Sequence, residues 1–286
     1  MNNIPVIFDE SEFEILGQAE TSGYMPGEMI IVLGSAGAGK TTFLDSVNTD
    51  TNNGLLLIDT EERAERFAMR RLVLPRAAIE ATTPKERLRK LNNWMKEVIN
   101  RVANNQAPYQ DVKVVAIDSF TAYYEYVAKL YMDAKGITSM QIQHYVPLYE
   151  ANWAVINYAY KMLRNKGISI VYICHMSKTT EKSPDGTEYT TYEPTLSPGF
   201  KTGFMHKADI NLYAIPAAPS EPYNRFVSSS QGGKYSHAKD GTGRLPTTLP
   251  MRWAAIDACW TGGEPEDYQP TIQIKQAKSS KKAAGK

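Results

Sequence analysis

The feature of this sequence that most constrains its fold is a glycine-rich segment directly after a short apolar run. Residues 34–41 read Gly-Ser-Ala-Gly-Ala-Gly-Lys-Thr and match the phosphate-loop pattern G-x-x-x-x-G-K-[ST]. The apolar residues 29–33 before it predict a buried strand, and residues 42–44 after it predict the start of a helix. This order of strand, loop and helix marks a nucleotide site rather than a chance glycine-rich turn.

Each residue type in the loop has a physical role in phosphate binding. Glycines let successive backbone N–H groups point inward, and the following helix presents its positive dipole end to an anion. Lys40 is predicted to reach the β- and γ-phosphates, and the Thr41 hydroxyl to bind Mg²⁺. The predicted phosphate-binding residues are Gly34, Ser35, Ala36, Gly37, Ala38, Gly39, Lys40, Thr41 and Thr42.

Length and composition limit the classes of protein that fit. The 286 residues, 42% hydrophobic and 22% charged, suit one large soluble α/β domain. The net charge of +1 gives no bulk attraction to nucleic acid, so any such binding must be local. Cys174 and Cys259 lack metal-ligand spacing. With no long apolar run or leader-like N-terminus, these features predict a cytoplasmic protein without a membrane partner.

Two further apolar runs end in carboxylates. Residues 55–58 lead into Asp59-Thr60-Glu61, and residues 112–117 lead into Asp118. The carboxyl ends of parallel strands meet at the edge where such folds bind ligands, although a strand end can simply turn polar at the surface. Asp118 has the position of a Walker B aspartate and is predicted to hold Mg²⁺ with Thr41, with Ser119 as a candidate helper.

The charged residues after Glu61 and the apolar run before His175 complete the predicted edge. Arg63 and Arg66 either face a nucleotide base or form a solvated ion-pair surface, and the second reading is favoured. Residues 168–174 predict a fourth buried strand that ends at His175.

Elsewhere the sequence predicts a helical stretch at residues 120–135, a long helical region at about 139–164 that is interrupted near Pro147, and a strand at 251–254.

The segment 177–207 has few aliphatic residues and is too long for an idle connection. Residues 183–186 predict a hairpin turn within it. Lysines alternate there with aromatic residues, which suits a single strand whose phosphates bind cations and whose bases stack on rings. The predicted DNA contacts are Lys178, Lys182, Tyr189 and Lys201. The alternative is a hairpin that packs on a neighbouring subunit.

Four motifs together resemble the RecA/RadA recombinase core, which DnaB-type helicases share. They are Pro26-Gly27-Glu28, Asp59-Thr60-Glu61, Ile117-Asp118-Ser119 and a strand ending at His175. The layout is most similar to phage core-only RecA-like ATPases linked to single-strand annealing, over about residues 24–260. The resemblance implies an α/β fold with a mostly parallel central sheet and helices on both faces. We expect this ATPase domain at residues 1–262. Residues 263–286 are expected to be a basic, disordered tail, because residues 272–286 contain five lysines and no acidic residue.

The resemblance also implies roles for single residues. Glu61 would activate the attacking water, and His175 would sense the γ-phosphate and couple it to the segment after it. Lys239 matches a late basic motif that reaches a neighbouring subunit's nucleotide. The arginine of that motif is replaced by Gly241, and Arg244 is its candidate substitute.

The cofactors and partners implied by this resemblance are ATP, Mg²⁺, single-stranded DNA, a ring or filament of identical subunits and a single-strand-binding protein. If the chain is phage-encoded, the location is the host cytoplasm. The leading hypothesis is an ATPase that assembles on single-stranded DNA. A ring-shaped DnaB-like motor, a regulatory nucleotide-dependent binding protein with little turnover and a small-molecule kinase remain alternatives.

Overall fold

The computed structural model describes residues 27–182, 186, 188–218, 223–229 and 234–265. The helices in this part of the chain are α1 (Lys40–Asp50), α2 (Arg76–Glu80), α3 (Pro84–Ala103), α4 (Phe120–Lys135), α5 (Ile142–Arg164), α6 (Pro198–Lys207) and α7 (Trp253–Trp260). The strands are β1 (Met29–Gly34), β2 (Leu55–Asp59), β3 (Arg70–Val73), β4 (Val114–Asp118), β5 (Ser169–Lys182), β6 (Glu188–Pro194), β7 (Ile210–Ile215), β8 (Arg225–Val227), β9 (Lys239–Asp240) and β10 (Thr248–Pro250).

The central sheet has the strand order β10-β8-β7-β1-β5-β4-β2-β3 within the described residues. The strands from β7 to β3 are all parallel, whereas β8 and β10 extend the sheet antiparallel at one side. Two pairings lie outside this path: β6 joins β5 along seven residue pairs, and β9 joins β7 along two. The α/β fold with a mostly parallel central sheet is therefore as predicted.

Side chains of each central strand alternate between two hydrophobic cores on opposite faces of the sheet. In β1, Met29 and Ile31 belong to the core beneath helices α3 to α6, while Ile30 and Val32 belong to the core beneath α1 and α7. These four residues are 0% exposed. Because both faces are covered by helices, the buried strands read as continuous apolar runs.

The register of the parallel strands brings four chain segments together at one edge. Gly34 of β1 lies beside His175 of β5, and Asp118 of β4 lies beside Asp59 of β2. The phosphate loop and the predicted polar strand ends therefore share the carboxyl edge of the sheet, where open α/β folds bind ligands.

Two expectations about local structure are wrong. Residues 251–254 were expected to form a strand, but Trp253 begins α7. The carboxylate of Asp50 on α1 accepts a hydrogen bond from the Ala254 N–H at 2.9 Å. This contact satisfies a backbone donor at the start of α7. Pro147 was expected to interrupt the helix before Gly167, yet α5 continues through it.

The segment 177–207 also contains more regular structure than a loop. Its first part extends β5 by seven residues beyond His175 and pairs with β6 as a hairpin, as the predicted turn requires. Its last part forms α6, where Phe200 and Phe204 are 0% exposed. Helix α6 has two internal glycines, so burial of its aromatic side chains rather than intrinsic propensity stabilises it.

Within the described residues, no helix is long and apolar enough to cross a membrane. The expected tail lies outside these residues except for 263–265, and so does the start of the expected domain before residue 27.

Buried Glu28, next to β1, makes the stability of this fold depend on pH. Glu28 is 3% exposed, and burial together with a hydrogen bond to the Asp209 carboxyl raises its pKa to about 7. The folded chain therefore holds a proton that the unfolded chain releases near pH 4.5. The contribution of Glu28 to stability is fully present below that pH and is lost as pH rises towards about 7.

We expect Glu28→Gln to remove this loss of folding stability with rising pH, because the glutamine amide stays neutral and still donates to Asp209. Urea unfolding of the wild type should lose up to about 3 kcal/mol from this group between about pH 4.5 and 7. The variant should show a correspondingly flatter profile. Glu97→Gln, which changes an exposed ion pair with Arg101, is the control. Parallel profiles for wild type and Glu28→Gln would contradict the assignment.

Candidate nucleotide-binding site

The phosphate loop is held in a shape that only glycine permits at its critical position. Gly39 has φ of +85°, and a Cβ atom there would lie 2.6 Å from Nδ2 of Asn224 and 2.8 Å from Cε of Met251. The same Asn224 amide donates to the carbonyl of Ala38 at 3.2 Å. The loop backbone is thus supported from the segment before β8 and leaves its open side to the cleft.

Lys40 lies at the base of the cleft and is 7% exposed. Its ammonium donates to the carbonyl oxygens of Gly34 at 2.9 Å and Ser35 at 2.7 Å. Burial lowers the pKa of Lys40, and the nearby carboxylates of Asp118 and Glu61 oppose this effect. The ammonium is therefore desolvated and held by neutral carbonyls, from which a phosphate anion would draw it.

Thr41 and Asp118 form an oxygen pair suited to Mg²⁺. The Thr41 hydroxyl donates to Oδ2 of Asp118 at 3.0 Å. Burial raises the pKa of Asp118, while the Thr41 hydrogen bond and the Lys40 charge act against that rise. Among the described residues, no group of three or more His, Cys, Asp or Glu side chains is arranged so that it could hold a metal ion by itself. One hydroxyl and one carboxylate fit Mg²⁺, which is usually held by few protein oxygens together with water and substrate phosphates.

Glu61 and His175 meet across the cleft. The Nε2 atom of His175 lies 3.2 Å from Oε2 of Glu61, and the two side chains are 31% and 21% exposed. The backbone N–H of His175 donates to the Thr121 hydroxyl at 3.0 Å, which fixes the end of the buried part of β5. The structure therefore joins two residues that the sequence places 114 positions apart.

Asp59 has a structural role in this edge. Its Oδ1 atom accepts backbone N–H groups from Glu61 at 3.2 Å and Glu62 at 2.7 Å, and Oδ2 accepts that of Ala64 at 3.0 Å. Arg71 donates to Oδ2 at 3.1 Å. The side chain is 3% exposed. This carboxylate therefore organises the turn that carries Glu61.

Thr60 ties the same turn to the neighbouring strand. Its N–H donates to the carbonyl of Asp118 at 2.9 Å, and its hydroxyl donates to the carbonyl of Ser119 at 2.8 Å. The carbonyl of Thr60 accepts a hydrogen bond from Arg76 at 2.7 Å. Glu61 consequently follows a residue that is fixed on both sides, which limits its freedom to move relative to Asp118.

Arg63 and Arg66 also line the cleft, together with the phosphate loop, Glu61 and His175. The Arg63 side chain is 78% exposed, and its Nη1 atom lies 3.6 Å from Oε1 of Glu61. The guanidinium of Arg66 lies 5.0 Å from the ring centre of Phe67. Arg63 is exposed, as the favoured prediction of a solvated surface requires. That prediction did not include its position at the cleft.

Lys239 lies away from the cleft of its own chain. It is on β9, beside Asn211 near the start of β7, whereas the phosphate loop follows the end of β1. Its ammonium donates to the carbonyls of His206 at 3.1 Å and Ala208 at 2.5 Å. Arg244 donates to the carbonyl of Trp260 at 2.9 Å. A role for either residue at a neighbouring subunit's nucleotide stays a prediction.

The predicted DNA contacts lie on the hairpin and on α6. Lys178 and Lys182 are exposed and point to the same face of β5, because they are four residues apart on one strand. Lys178 is paired in register with Tyr192, and Lys182 lies 3.2 Å from Glu188. Tyr189 belongs to β6, but its side chain lies outside what the structure describes.

Lys201 differs from the other predicted contacts. It lies on α6, its side chain is 14% exposed, and its ammonium is ion-paired with Glu193. The His237 ring nitrogen lies 3.9 Å from the other carboxylate oxygen of Glu193. Lys201 therefore joins α6 to β6 in this conformation, and its contact with DNA stays a prediction.

Sequence patterns did not identify several residues that shape the site. Asn224 and Arg76 each donate a hydrogen bond to a backbone carbonyl of the site, a contact for which no spacing rule exists. Ser119 was considered as a helper of Asp118, but its hydroxyl accepts the Ala122 N–H at 3.1 Å and caps α4. Its position directly before a helix was the available signal for that role.

Comparison with known proteins gives one family. The family model described as "AAA domain" matches residues 27–241. This range begins before β1 and ends after β9, so it includes the phosphate loop, Glu61, Asp118 and His175. No curated protein matches the chain.

Proposed function

Because the chain belongs to the AAA domain family of P-loop ATPases, we propose that it hydrolyses ATP while bound to single-stranded DNA. The proposed setting is phage-type recombination or annealing, with subunits assembled as a ring or filament. The RecA-like arrangement of Glu61, Asp118 and His175 at one sheet edge supports this assignment over a kinase.

The chemistry assigned to the cleft is transfer of a phosphoryl group to water. The water oxygen forms a bond to the γ-phosphorus, and the bond from that phosphorus to the β–γ bridging oxygen breaks, giving ADP and phosphate. Glu61 accepts the proton that the water loses. Lys40 neutralises charge on the β- and γ-phosphates. Mg²⁺, when held by Thr41 and Asp118, adds further neutralisation of phosphate charge.

The observation that carries the proposal is the continuity of β5. This strand pairs with β1 up to His175, next to Glu61, and then continues to Lys182 in the hairpin with β6. A change at the γ-phosphate that moves His175 would therefore act directly on the base of the hairpin. The proposed consequence is that ATP orders the hairpin for binding and that bound DNA in turn positions Glu61.

Cations and rings are clustered on the hairpin face proposed for DNA. Lys178 is in register with Tyr192, whose ring stacks on that of Tyr235 with centres 5.8 Å apart. The ammonium of Lys234 lies 5.8 Å from the Tyr192 ring centre and is exposed. Tyr235 is buried in the core and Tyr192 is partly buried against it, so these two rings support the surface from below. The exposed lysines are what this face offers a single strand, since their charges would follow its phosphates.

The direct test measures steady-state ATP hydrolysis with and without a single-stranded oligonucleotide. We expect the DNA to increase the rate, and a duplex of the same sequence to increase it less. A rate that is measurable but insensitive to both would leave the ATPase assignment in place and remove the DNA assignment. Absence of hydrolysis under all conditions would contradict the ATPase assignment for the isolated chain.

We expect Lys178→Ala combined with Lys182→Ala to weaken binding of single-stranded DNA. Loss of two phosphate contacts should lower the slope of log affinity against log salt by about 1.4. Fluorescence anisotropy of a labelled oligonucleotide across a salt series measures both quantities. The matched control combines Lys161→Ala with Lys166→Ala, two exposed lysines at and beyond the end of α5. Equal slopes for the two double variants would place the DNA site elsewhere.

A further inference from the structure

We propose that Arg63 is a catalytic residue that acts on the γ-phosphate of the nucleotide bound to its own chain. This inference rests on the proposed ATPase function and assigns a source of positive charge within the same subunit. It differs from the arrangement implied by the resemblance, in which Lys239 or Arg244 would reach the nucleotide of a neighbouring subunit.

The backbone of Arg63 is held in a turn, whereas its side chain is exposed and has room to move. The N–H of Arg63 lies 3.4 Å from Oδ1 of Asp59, in the turn that also holds the N–H of Glu61. The Arg63 guanidinium lines the cleft and lies 3.6 Å from Glu61. Because the side chain is 78% exposed, it can change partners without disturbing packed structure.

The negative charge at the cleft exceeds the positive charge available to neutralise it once a triphosphate is bound. Glu61 and Asp118 contribute two carboxylates, and a triphosphate would add more negative charge. Lys40 is at the base, and Arg71 is committed to Asp59 at 3.1 Å. Two arginines line the cleft, Arg63 and Arg66. Arg66 lies over the ring of Phe67, and Arg63 already contacts Glu61, the proposed water-activating group.

The residues assigned to a role in trans are engaged within their own chain. Lys239 donates to two carbonyls, and Arg244 donates to a third. Gly241, at the position of the expected arginine, has no side chain to offer. Action in trans by Lys239 or Arg244 would require these contacts to break, whereas Arg63 would exchange only its exposed contact with Glu61 and already lines the cleft.

The geometry also gives Arg63 a defined change of partner. The structure has its guanidinium next to Glu61. A γ-phosphate carries more negative charge and offers paired oxygens, which guanidinium groups bind in a bidentate manner. Transfer of Arg63 to the phosphate would free the Glu61 carboxylate to accept the proton of water, and would neutralise charge that develops on the transferred group.

The first test compares Arg63→Ala with Arg89→Ala. Arg89 is an exposed arginine on α3, outside the cleft, with one carboxylate partner, Glu86, at 3.3 Å. We expect Arg63→Ala to lower kcat by roughly 30-fold, while ATP affinity in titration calorimetry changes less than about threefold. Arg63→Lys should recover part of kcat, because it keeps the charge but not the bidentate geometry. Arg89→Ala should match the wild type. Normal kcat in Arg63→Ala, in a preparation whose wild type hydrolyses ATP, would overturn the inference and leave the proposed ATPase function standing.

The second test separates action in cis from action in trans. Arg63→Ala subunits are mixed with Lys40→Ala subunits, which keep Arg63 but lack the phosphate-loop lysine. If Arg63 acts on its own nucleotide, no combination restores an intact site, and activity should equal the sum of the two separate preparations at every ratio. Activity above that sum at intermediate ratios would mean that Arg63 is delivered by a neighbour, and would overturn the inference.

Discussion

Lys40→Ala is expected to abolish turnover and to weaken ATP binding by about 2–4 kcal/mol, the loss of charge-assisted hydrogen bonds in a partly buried site. In the structure this ammonium is desolvated, and it donates hydrogen bonds to the neutral carbonyls of Gly34 and Ser35. An arriving phosphate therefore meets a cation whose charge is little screened by water.

Titration calorimetry with ATP and Mg²⁺ measures this effect, and Lys161→Ala, on the exposed face of α5, is the matched control. Thermal unfolding should show that both variants are folded, so that a loss of ATP affinity reports on the site and not on the fold. Unchanged ATP affinity in Lys40→Ala would contradict the assignment of the loop as a phosphate site.

Glu61→Gln is expected to leave ATP binding nearly intact while turnover falls roughly 10²–10⁴-fold, the usual contribution of a general base. Glutamine keeps the size of the side chain and can still contact His175, but it cannot accept a proton from water. The turn that carries residue 61 should not change, because Asp59 binds its backbone rather than its side chain.

Glu62→Gln is the control for this prediction. Glu62 is exposed and adjoins Glu61, so the same chemical change is made one residue away. Single-turnover hydrolysis with saturating enzyme separates the chemical step from product release. A full rate in Glu61→Gln together with a slow rate in Glu62→Gln would move the base by one position.

The sequence was most informative where local pattern and tertiary burial agree. The phosphate loop and the buried strands follow directly from glycines and apolar runs, and α4 has the predicted bounds Phe120–Lys135. The edge that unites the loop with Glu61, Asp118 and His175 was also predictable, because parallel strands of one sheet must end on the same side.

The rest depends on contacts between distant segments. Helix α7 was read as a strand because Trp253 and Ala254 follow an apolar methionine, whereas its helical start is fixed by Asp50 about 200 residues earlier. Helix α6 contains residues with poor helix propensity and forms because Phe200 and Phe204 pack against Phe120. The place of Arg63 at the cleft depends on a turn organised by Asp59, which spacing alone does not reveal.

The long strand β5 has a consequence for how the hairpin can vary in length. Side chains alternate without interruption from Cys174, buried in the core, to Lys182 near the hairpin end. One extra residue after His175 would turn Lys178 and Lys182 to the opposite face, while the cleft itself would stay intact. Lengthening both arms by two residues each would keep the faces in phase. Each arm of the hairpin can therefore gain or lose an even number of residues and keep the same face towards the nucleotide. An odd number would turn the lysines away from that face.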